Sequence, residues 1–113
     1  SPFPDPLVPD AAPTLSALRK ALKRDAPAKI VRTLTAFTHP RRLALLRYLQ
    51  QHGPTSAERL SSANQISVQA LWRHLRKLKA RGLVVHTETA WDLAKHPPAL
   101  GRALLHILVH SPL

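Results

Sequence analysis

The most informative stretch of the sequence runs over residues 67–82 and reads SVQALWRHLRKLKARG. Its leucines recur at intervals of four and three residues, at Leu71, Leu75 and Leu78. This spacing places them on one face of an α-helix, and three aligned leucines favour burial against a core. Ser67 is suited to cap the first turn of such a helix, and Gly82 is suited to terminate it. We therefore predict a helix over 67–81 with a buried leucine face.

The opposite face of this predicted helix has polar and basic side chains that suit an anionic surface. Gln69 and Arg73 have the bidentate hydrogen-bonding geometry that recognises adenine and guanine, respectively, in the major groove of DNA. The cations further along the helix are suited to phosphate contacts. The candidate DNA contacts here are Ser67, Val68, Gln69, Trp72, Arg73, Arg76, Lys77 and Lys79. The alternative is a basic face that contacts only solvent.

Short elements are predicted on both sides of this helix, and their order is informative. They are a helix over 56–63 capped by Thr55 or Ser56, a tight turn at 64–66, and the strands of a hairpin at 83–85 and 90–93. A short helix, a tight turn, a longer helix and a hairpin follow one another in a winged helix-turn-helix.

The remaining sequence predicts an extended tail and additional helices. Five prolines within residues 1–13 restrict the backbone and favour extended geometry. Spaced apolar residues predict helices over 14–25 with Thr14 as the cap, within 28–37, from Pro40 to Gly53, and over 99–110. We therefore expect a Pro-rich tail at 1–13 and one domain at 14–113. The fold class is mainly α with a small β-hairpin, a winged helix-turn-helix with extra N- and C-terminal helices.

Two segments have residue patterns of a known family. Segment 66–84 has a Ser after Ile66, an Arg-His-Leu centre and a Gly-Leu-Val exit. Segment 39–49 reads HPRRLALLRYL, similar to a Pro-x-Arg-x-x-Ile-Leu helix. These patterns resemble those of the ArsR-like (arsenic-repressor type) winged-helix regulators, over about residues 32–93. The resemblance implies a transcriptional regulator, most often a repressor, that binds specific sequences of double-stranded DNA.

Two features depart from the pattern of that family. Trp72 stands where relatives tend to have Ser or another small residue, and it is expected either near DNA or in a structural contact. The predicted wing turn at 86–89 has no Lys, Arg or Gly, and Glu88 and Asp92 would repel phosphate. Two alternatives therefore stay open: a winged-helix protein–protein interaction module, and a nucleic-acid-binding domain cut from a larger protein.

The charge distribution favours an anionic partner for the middle of the chain. The sequence has 17 Lys and Arg against six Asp and Glu, a net charge of +11. Ten of these basic residues lie within 32–81, together with a single acid. Nucleic acid is the commonest partner of such a surface, and a merely soluble basic protein is the alternative. Arg41 and Arg42 lie in this segment and join the candidate DNA contacts.

The terminal helices predict a homodimer. Leucines repeat along 14–25 and along 99–110, and little chain remains to cover them. We expect these two helices to bury against each other across a two-fold axis. Two recognition helices would then lie about one DNA turn apart on a palindromic site.

Enzymes and membrane proteins are disfavoured by what the sequence lacks. It has no cysteine, which excludes thiolate metal sites and cysteine nucleophiles. We find no catalytic or nucleotide-binding motif, so we expect neither enzymatic activity nor a cofactor. No apolar run reaches the length of about 18 residues that a membrane span needs, and a cytoplasmic location is expected.

Three histidines near the C-terminal end are weak candidates for a metal site. His106 and His110 are four residues apart, a spacing that can bind a metal, and His96 is near in sequence. No carboxylate lies within residues 93–113, however, so we predict no metal site there. The sequence specifies no small-molecule or metal effector.

Overall fold

The computed structural model describes residues 11–110 of the 113-residue chain, with side chains from residue 14 onward. Its elements in chain order are α1 (Ala11–Arg24), α2 (Pro27–Thr35), α3 (Pro40–His52), α4 (Ala57–Asn64), α5 (Val68–Ala80), β1 (Val84–His86), β2 (Trp91–Leu93) and α6 (Ala99–Leu105). A π-helical turn over His106–His110 extends α6. This order confirms the predicted winged helix-turn-helix with additional terminal helices.

Hydroxyl caps and a left-handed residue shape the turn between α4 and α5. Ser56 caps α4 and Ser67 caps α5, because each hydroxyl oxygen accepts a backbone N–H of the following turn. Gln65 adopts left-handed backbone angles, φ 54° and ψ 44°, at the end of α4. The N–H of Ile66 then donates to the carbonyl of Ser61 at 3.0 Å. The predicted tight turn is therefore confirmed.

Gly82 ends α5 with the backbone bonds of a Schellman motif. Its φ is +74°, and its N–H donates to the carbonyl of Lys79. The N–H of Leu83 donates to the carbonyl of Leu78, which completes the motif. Both of these leucines belong to the core. The chain thus leaves α5 directly toward β1, as the glycine predicts.

β1 and β2 form an antiparallel hairpin, the wing, in which His86 pairs with Trp91. A third segment joins the hairpin, because Thr55 and Trp91 exchange two backbone hydrogen bonds of 2.8 and 2.7 Å. Thr55 is held in this bridge, so Ser56 is the residue that caps α4. The bridge ties the start of α4 to the wing.

Leucines of α3, α4 and α5 form the centre of the core. The leucine face predicted for α5 is confirmed, since Leu71, Leu75 and Leu78 have no exposed surface. They join a cluster that includes Leu45, Leu46, Leu49, Leu60 and Leu83. Truncating a buried leucine to alanine typically costs about 2–5 kcal/mol, so this cluster strongly fixes which side of α5 faces outward.

α1 packs against α6 within a single chain. Ala21 of α1 is buried, whereas Leu15 and Leu22 are 55% and 46% exposed. The sequence prediction placed helices 14–25 and 99–110 against each other across a dimer, and the structure instead forms a contact between these helices inside the chain. The folded chain is therefore able to cover α6 itself, while two leucines of α1 remain exposed.

The start of α1 also differs from the prediction. The helix begins at Ala11, so Thr14 lies within its first turn and does not precede it. Pro13 is compatible with this position, because the first helical turn needs no donor from its backbone nitrogen. Residues 1–10 of the predicted tail lie outside the described residues. Within the described part, no helix combines the length and apolar character needed to cross a membrane.

Two close contacts hold α6 and its π-helical extension against the helix-turn-helix. Arg47 of α3 donates from Nε and Nη2 to the carbonyl oxygen of Leu108, at 3.1 and 3.0 Å. Gly101 allows α6 to approach Leu83, since a Cβ at this glycine would lie only 2.7 Å from a leucine methyl carbon. α6 and its π-helical extension are therefore anchored to the same core that orients α5.

Candidate nucleic-acid interface

The solvent-facing side of α5 and its cap brings together eight of the ten predicted DNA contacts. All eight residues are exposed: Ser67, Val68, Gln69, Trp72, Arg73, Arg76, Lys77 and Lys79. Val68 and Trp72, two apolar residues among them, are 53% and 39% exposed. Because the leucines of the same helix are buried, α5 presents this one side to an external partner. We call this set of eight residues the outward face.

Apart from the capping hydroxyl of Ser67, the polar side chains of the outward face make no hydrogen bond or ion pair with the described residues. Among residues 11–110, none of the side chains of Gln69, Arg73, Arg76, Lys77 and Lys79 makes a hydrogen bond or an ion pair. The helix Val68–Ala80 holds four of these cations and no acid. Their donors are therefore available to bases or phosphates, and their charges add to one positive surface.

Arg41 and Arg42, adjacent at the start of α3, lie in different environments. Arg41 is exposed. Arg42 is only 9% exposed, its Nη2 donates to the carbonyl of Thr35 at 2.6 Å, and its Nη1 lies 3.4 Å from Nδ1 of His74. Burial lowers the pKa of Arg42. Arg42 thus connects α2, α3 and α5 internally, which does not fit the expectation of a direct DNA contact.

His39 and His74 bring two imidazole rings together beside these arginines, with ring centroids 4.6 Å apart. Nδ1 of His39 accepts the N–H of Arg41 at 3.1 Å and so caps α3. Nδ1 of His74 faces the Arg42 guanidinium, which can only donate. These bonds assign the proton of each neutral ring to Nε2.

The surroundings of His74 disfavour its charged form. Burial lowers the pKa of His74 below its ordinary value, and the neighbouring basic residues His39, Arg42, Arg41 and Arg73 lower it further. The ring therefore stays neutral inside a cationic environment.

Trp72 packs against the wing and also remains partly exposed. Its ring meets that of Trp91 edge-on, with centroids 5.8 Å apart. The ring of His86 stacks on the same Trp91 at 4.4 Å. Trp72 therefore links α5 to the wing, which agrees with the expectation of a structural contact. Its exposed surface also lies on the outward face, so the DNA-proximal expectation stays open.

The wing adds no positive charge to this face. Glu88 is exposed in the hairpin turn. Asp92 is half-buried, and its Oδ1 accepts the N–H of Leu93 at 2.8 Å. The candidate interface is therefore limited to α5 and the start of α3.

The three histidines considered as metal ligands are only partly brought together. The rings of His106 and His110 stack with centroids 5.9 Å apart, and both line a cleft that also contains Lys95 and Arg102. These cations repel a metal ion, and His96 does not line the cleft. Burial and the neighbouring His106 lower the pKa of His110. Within residues 11–110, no three His, Asp or Glu side chains form a group that could hold a metal.

The roles of His39 and Thr35 at this site are not predictable from the sequence alone. The His-Pro pair at 39–40 indicates a helix start, and Pro40 does occupy the first position of α3. The meeting of His39 with His74, however, depends on how α3 packs against α5. No short-range pattern signals that contact.

Comparison with known proteins gives one match. Residues 37–87 match a family model described as a helix-turn-helix domain. The matched segment contains α3, α4, α5 and β1. It supports a helix-turn-helix regulator and leaves the ArsR-like resemblance as an expectation. Searches of curated proteins and of solved structures found no match.

Proposed function

We propose that this chain binds specific sequences of double-stranded DNA and regulates transcription. The observation that supports the proposal is the two-sided character of α5, with three fully buried leucines on one side and unengaged polar and basic groups on the other. The helix-turn-helix match over residues 37–87 supports the same assignment. In this fold the second helix lies in the major groove and reads base edges from its N-terminal half.

The position of each side chain along α5 suggests its role. Gln69 and Arg73 lie in the N-terminal half of the helix, where bidentate bonds to adenine and guanine are accessible. Arg76, Lys77 and Lys79 lie further along and contact phosphates, together with Arg41 at the start of α3. Arg42 is buried and contacts Thr35 and His74, so it stabilises the packing of α3 against α2 and α5.

We further propose that the chain acts as a homodimer on a palindromic site. Leu15, Leu22, Val31 and Leu34 of α1 and α2 are each at least 39% exposed, and such apolar side chains favour a protein contact. A two-fold dimer through α1 would present two copies of α5 to one face of the duplex.

Repression is the proposed outcome of binding, and the resemblance to the ArsR-like repressors supports it. A dimer bound over a promoter occupies the major groove and excludes other proteins from it. A reporter gene downstream of the selected site is expected to decrease in expression when the protein is present. An increase would assign activation instead.

Selection of bound sequences from random duplex DNA by the purified protein tests the central proposal. We expect a palindromic consensus with half-sites about one helical turn apart. Enrichment of a single, non-repeated half-site would support DNA binding and contradict the dimer. No enrichment over the starting pool would contradict sequence-specific binding.

A protein-docking module is the second candidate, and the wing favours it. Glu88 is exposed in the hairpin turn and would be repelled by phosphate, whereas it is compatible with a protein partner. The two candidates differ at Trp72. In a DNA complex its fluorescence is expected to respond to duplex addition, and in a protein-docking module it is expected not to respond.

A further inference from the structure

A cationic cleft lies between the start of α3 and the middle of α5. Its volume is about 540 Å³, and it is lined by His39, Arg41, Arg42, Arg73, His74 and Lys77. All six are basic residue types, so the cleft concentrates positive potential. This is the chemistry of an anion site.

The cleft also contains a buried cation that forms no ion pair with the residues that the structure describes. Arg42 is more than nine-tenths buried, and its Nε makes no hydrogen bond within the described residues. Asp25 is the acid that forms ion pairs among residues 11–110, and its partners are Arg24 and Lys29. A buried charge is costly unless an opposite charge accompanies it. An anion in the cleft would supply that charge.

The histidines of the cleft leave hydrogen-bond donors for a ligand. Nδ1 of each ring is occupied as an acceptor, so Nε2–H is the remaining polar group of both His39 and His74. Arg41 and Lys77 are exposed around the same space and add charged donors. A compact oxyanion with several acceptor oxygens matches this set.

We propose that this cleft binds a phosphate group. The expected source is a phosphodiester of the DNA backbone, and in that form the inference rests on the proposed function. A phosphate held between α3 and α5 would fix the protein on the duplex beside the base contact assigned to Arg73. Free inorganic phosphate shares the chemistry and is the other source.

Titration of the DNA-free protein with inorganic phosphate tests the site directly. The ring resonances of His39 and His74 are followed by NMR, with sodium chloride of equal ionic strength as the reference. We expect saturable shifts of both rings with phosphate and not with chloride. Shifts that do not saturate, or that chloride reproduces, would overturn the proposal.

A matched pair of double variants separates a built site from general positive charge. Arg41→Gln with Lys77→Gln removes two exposed charges that line the cleft, and phosphate affinity is expected to fall by about ten-fold or more. Arg19→Gln with Lys20→Gln removes the same charge from exposed positions of α1 outside the cleft. Equal losses in the two double variants would overturn the proposal.

His39→Asn provides a third variant, and we expect it to preserve the fold. The asparagine oxygen can replace Nδ1 as the acceptor that caps α3, while the Nε2–H donor is lost. We expect weaker phosphate binding with an unchanged unfolding midpoint. Unchanged phosphate affinity would remove His39 from the site.

Addition of a short duplex to the phosphate-loaded protein distinguishes the two sources. Loss of the phosphate-dependent shifts when DNA binds assigns the cleft to a backbone phosphate. Persistent phosphate shifts alongside bound DNA assign it to a free anion. If the protein binds DNA but shows no response to phosphate, the phosphate site in the cleft is contradicted and the proposed function is not. If it binds phosphate but not DNA, the proposed function is contradicted and the phosphate site is not.

Discussion

At the scale of single residues, the fold holds His74 in its neutral form. The ring is 8% exposed, its Nδ1 faces a guanidinium, and every charged group that acts on it is cationic. Protonation would place a hydrogen on Nδ1 and break the contact with Arg42. The buried arrangement of α3 against α5 therefore depends on an uncharged imidazole.

We predict that the protein loses stability as the pH falls below about 6.5. The pKa values of His74 and His110 are lowered in the folded state, so the unfolded chain binds more protons between the ordinary and the lowered values. Their stabilising contribution is complete above the ordinary pKa and decreases on acidification. Urea unfolding at about pH 7.5 and about pH 5.5 measures the change. An identical pH dependence in His74→Gln would contradict the role of His74.

Substitution of Arg73 tests the assignment of a base contact. Arg73→Ala is expected to weaken binding to the selected site by about 1–3 kcal/mol and to relax the preference at one base pair. Lys79→Ala, which removes a predicted phosphate contact, should weaken all sequences to a similar extent. Competition binding with matched and mismatched duplexes measures both. A uniform loss in the Arg73 variant would reassign Arg73 to phosphate.

At the scale of elements, the end of α5 depends on a glycine that another helix touches. Gly82 has a positive φ, and a Cβ there would lie 3.0 Å from Cδ of Pro98, at the start of α6. The Schellman turn therefore sets both the direction of the chain into the wing and the distance to α6.

We predict that Gly82→Ala lowers the free energy of unfolding by about 1–2 kcal/mol, because a side chain is disfavoured at positive φ. Thermal or urea unfolding measures the loss. Pro98→Ala removes the ring that the new Cβ would contact. The double variant therefore separates backbone strain from crowding. A Gly82→Ala protein as stable as the parent would contradict the assigned strain.

At the scale of the whole molecule, the outward face and the exposed leucines of the N-terminal helices are separate surfaces on different elements. The exposed cations of the outward face are on α5, whereas the exposed Leu15, Leu22, Val31 and Leu34 are on α1 and α2. In the proposed function, the outward face binds DNA and the exposed leucines contact a second copy of the chain.

Binding to DNA is expected to weaken steeply as salt increases, because each neutralised phosphate releases counterions. Four phosphate contacts per protomer, eight in the proposed dimer, predict a slope of about −7 in log affinity of the dimer against log salt. Lys79→Gln should reduce its magnitude by about two, and Arg19→Gln on α1 should leave it unchanged. Affinity that does not vary between two salt concentrations would contradict phosphate binding by the outward face.

Leu22→Asp is expected to convert the proposed dimer to a monomer and to weaken binding to a palindrome by at least about ten-fold. The exposed leucine would be replaced by a charge that a dimer interface must bury. Sedimentation velocity measures the oligomeric state. Val85→Asp, at a similarly exposed apolar position on the wing, is the matched control. A parent protein that is monomeric at all concentrations would contradict the dimer.

Local sequence signals predicted most of the fold. Leucine spacing located the buried side of α5, and Ser67 and Gly82 marked its ends because capping depends on neighbours a few residues away. Contacts between distant segments were not predictable in this way. The Thr55–Trp91 bridge and the packing of α1 on α6 within the chain arise only from the assembled fold.

In the candidate site, too, the features set by local sequence were predictable and those set by contacts between distant segments were not. Exposure of the outward face follows from the helical period, so its eight residues could be assigned from the sequence. Arg41 and Arg42 are adjacent and chemically identical, yet one is exposed and the other buried. Their difference is set by the partners of Arg42 on α2 and α5, which no local pattern specifies. The cationic cleft likewise depends on the packing of α3 against α5, which no local pattern specifies.

Among residues 11–110, the polar side chains on the outward side of α5 make no internal hydrogen bonds, which gives their positions mutational freedom. Gln69, Arg73 and Arg76 can be exchanged without breaking a contact that holds the scaffold together. Under the proposed function, duplicated genes that diverge at these sites would keep the same thermal stability and acquire separate target sequences. The same separation makes the chain a practical starting point for directed evolution of new DNA preferences.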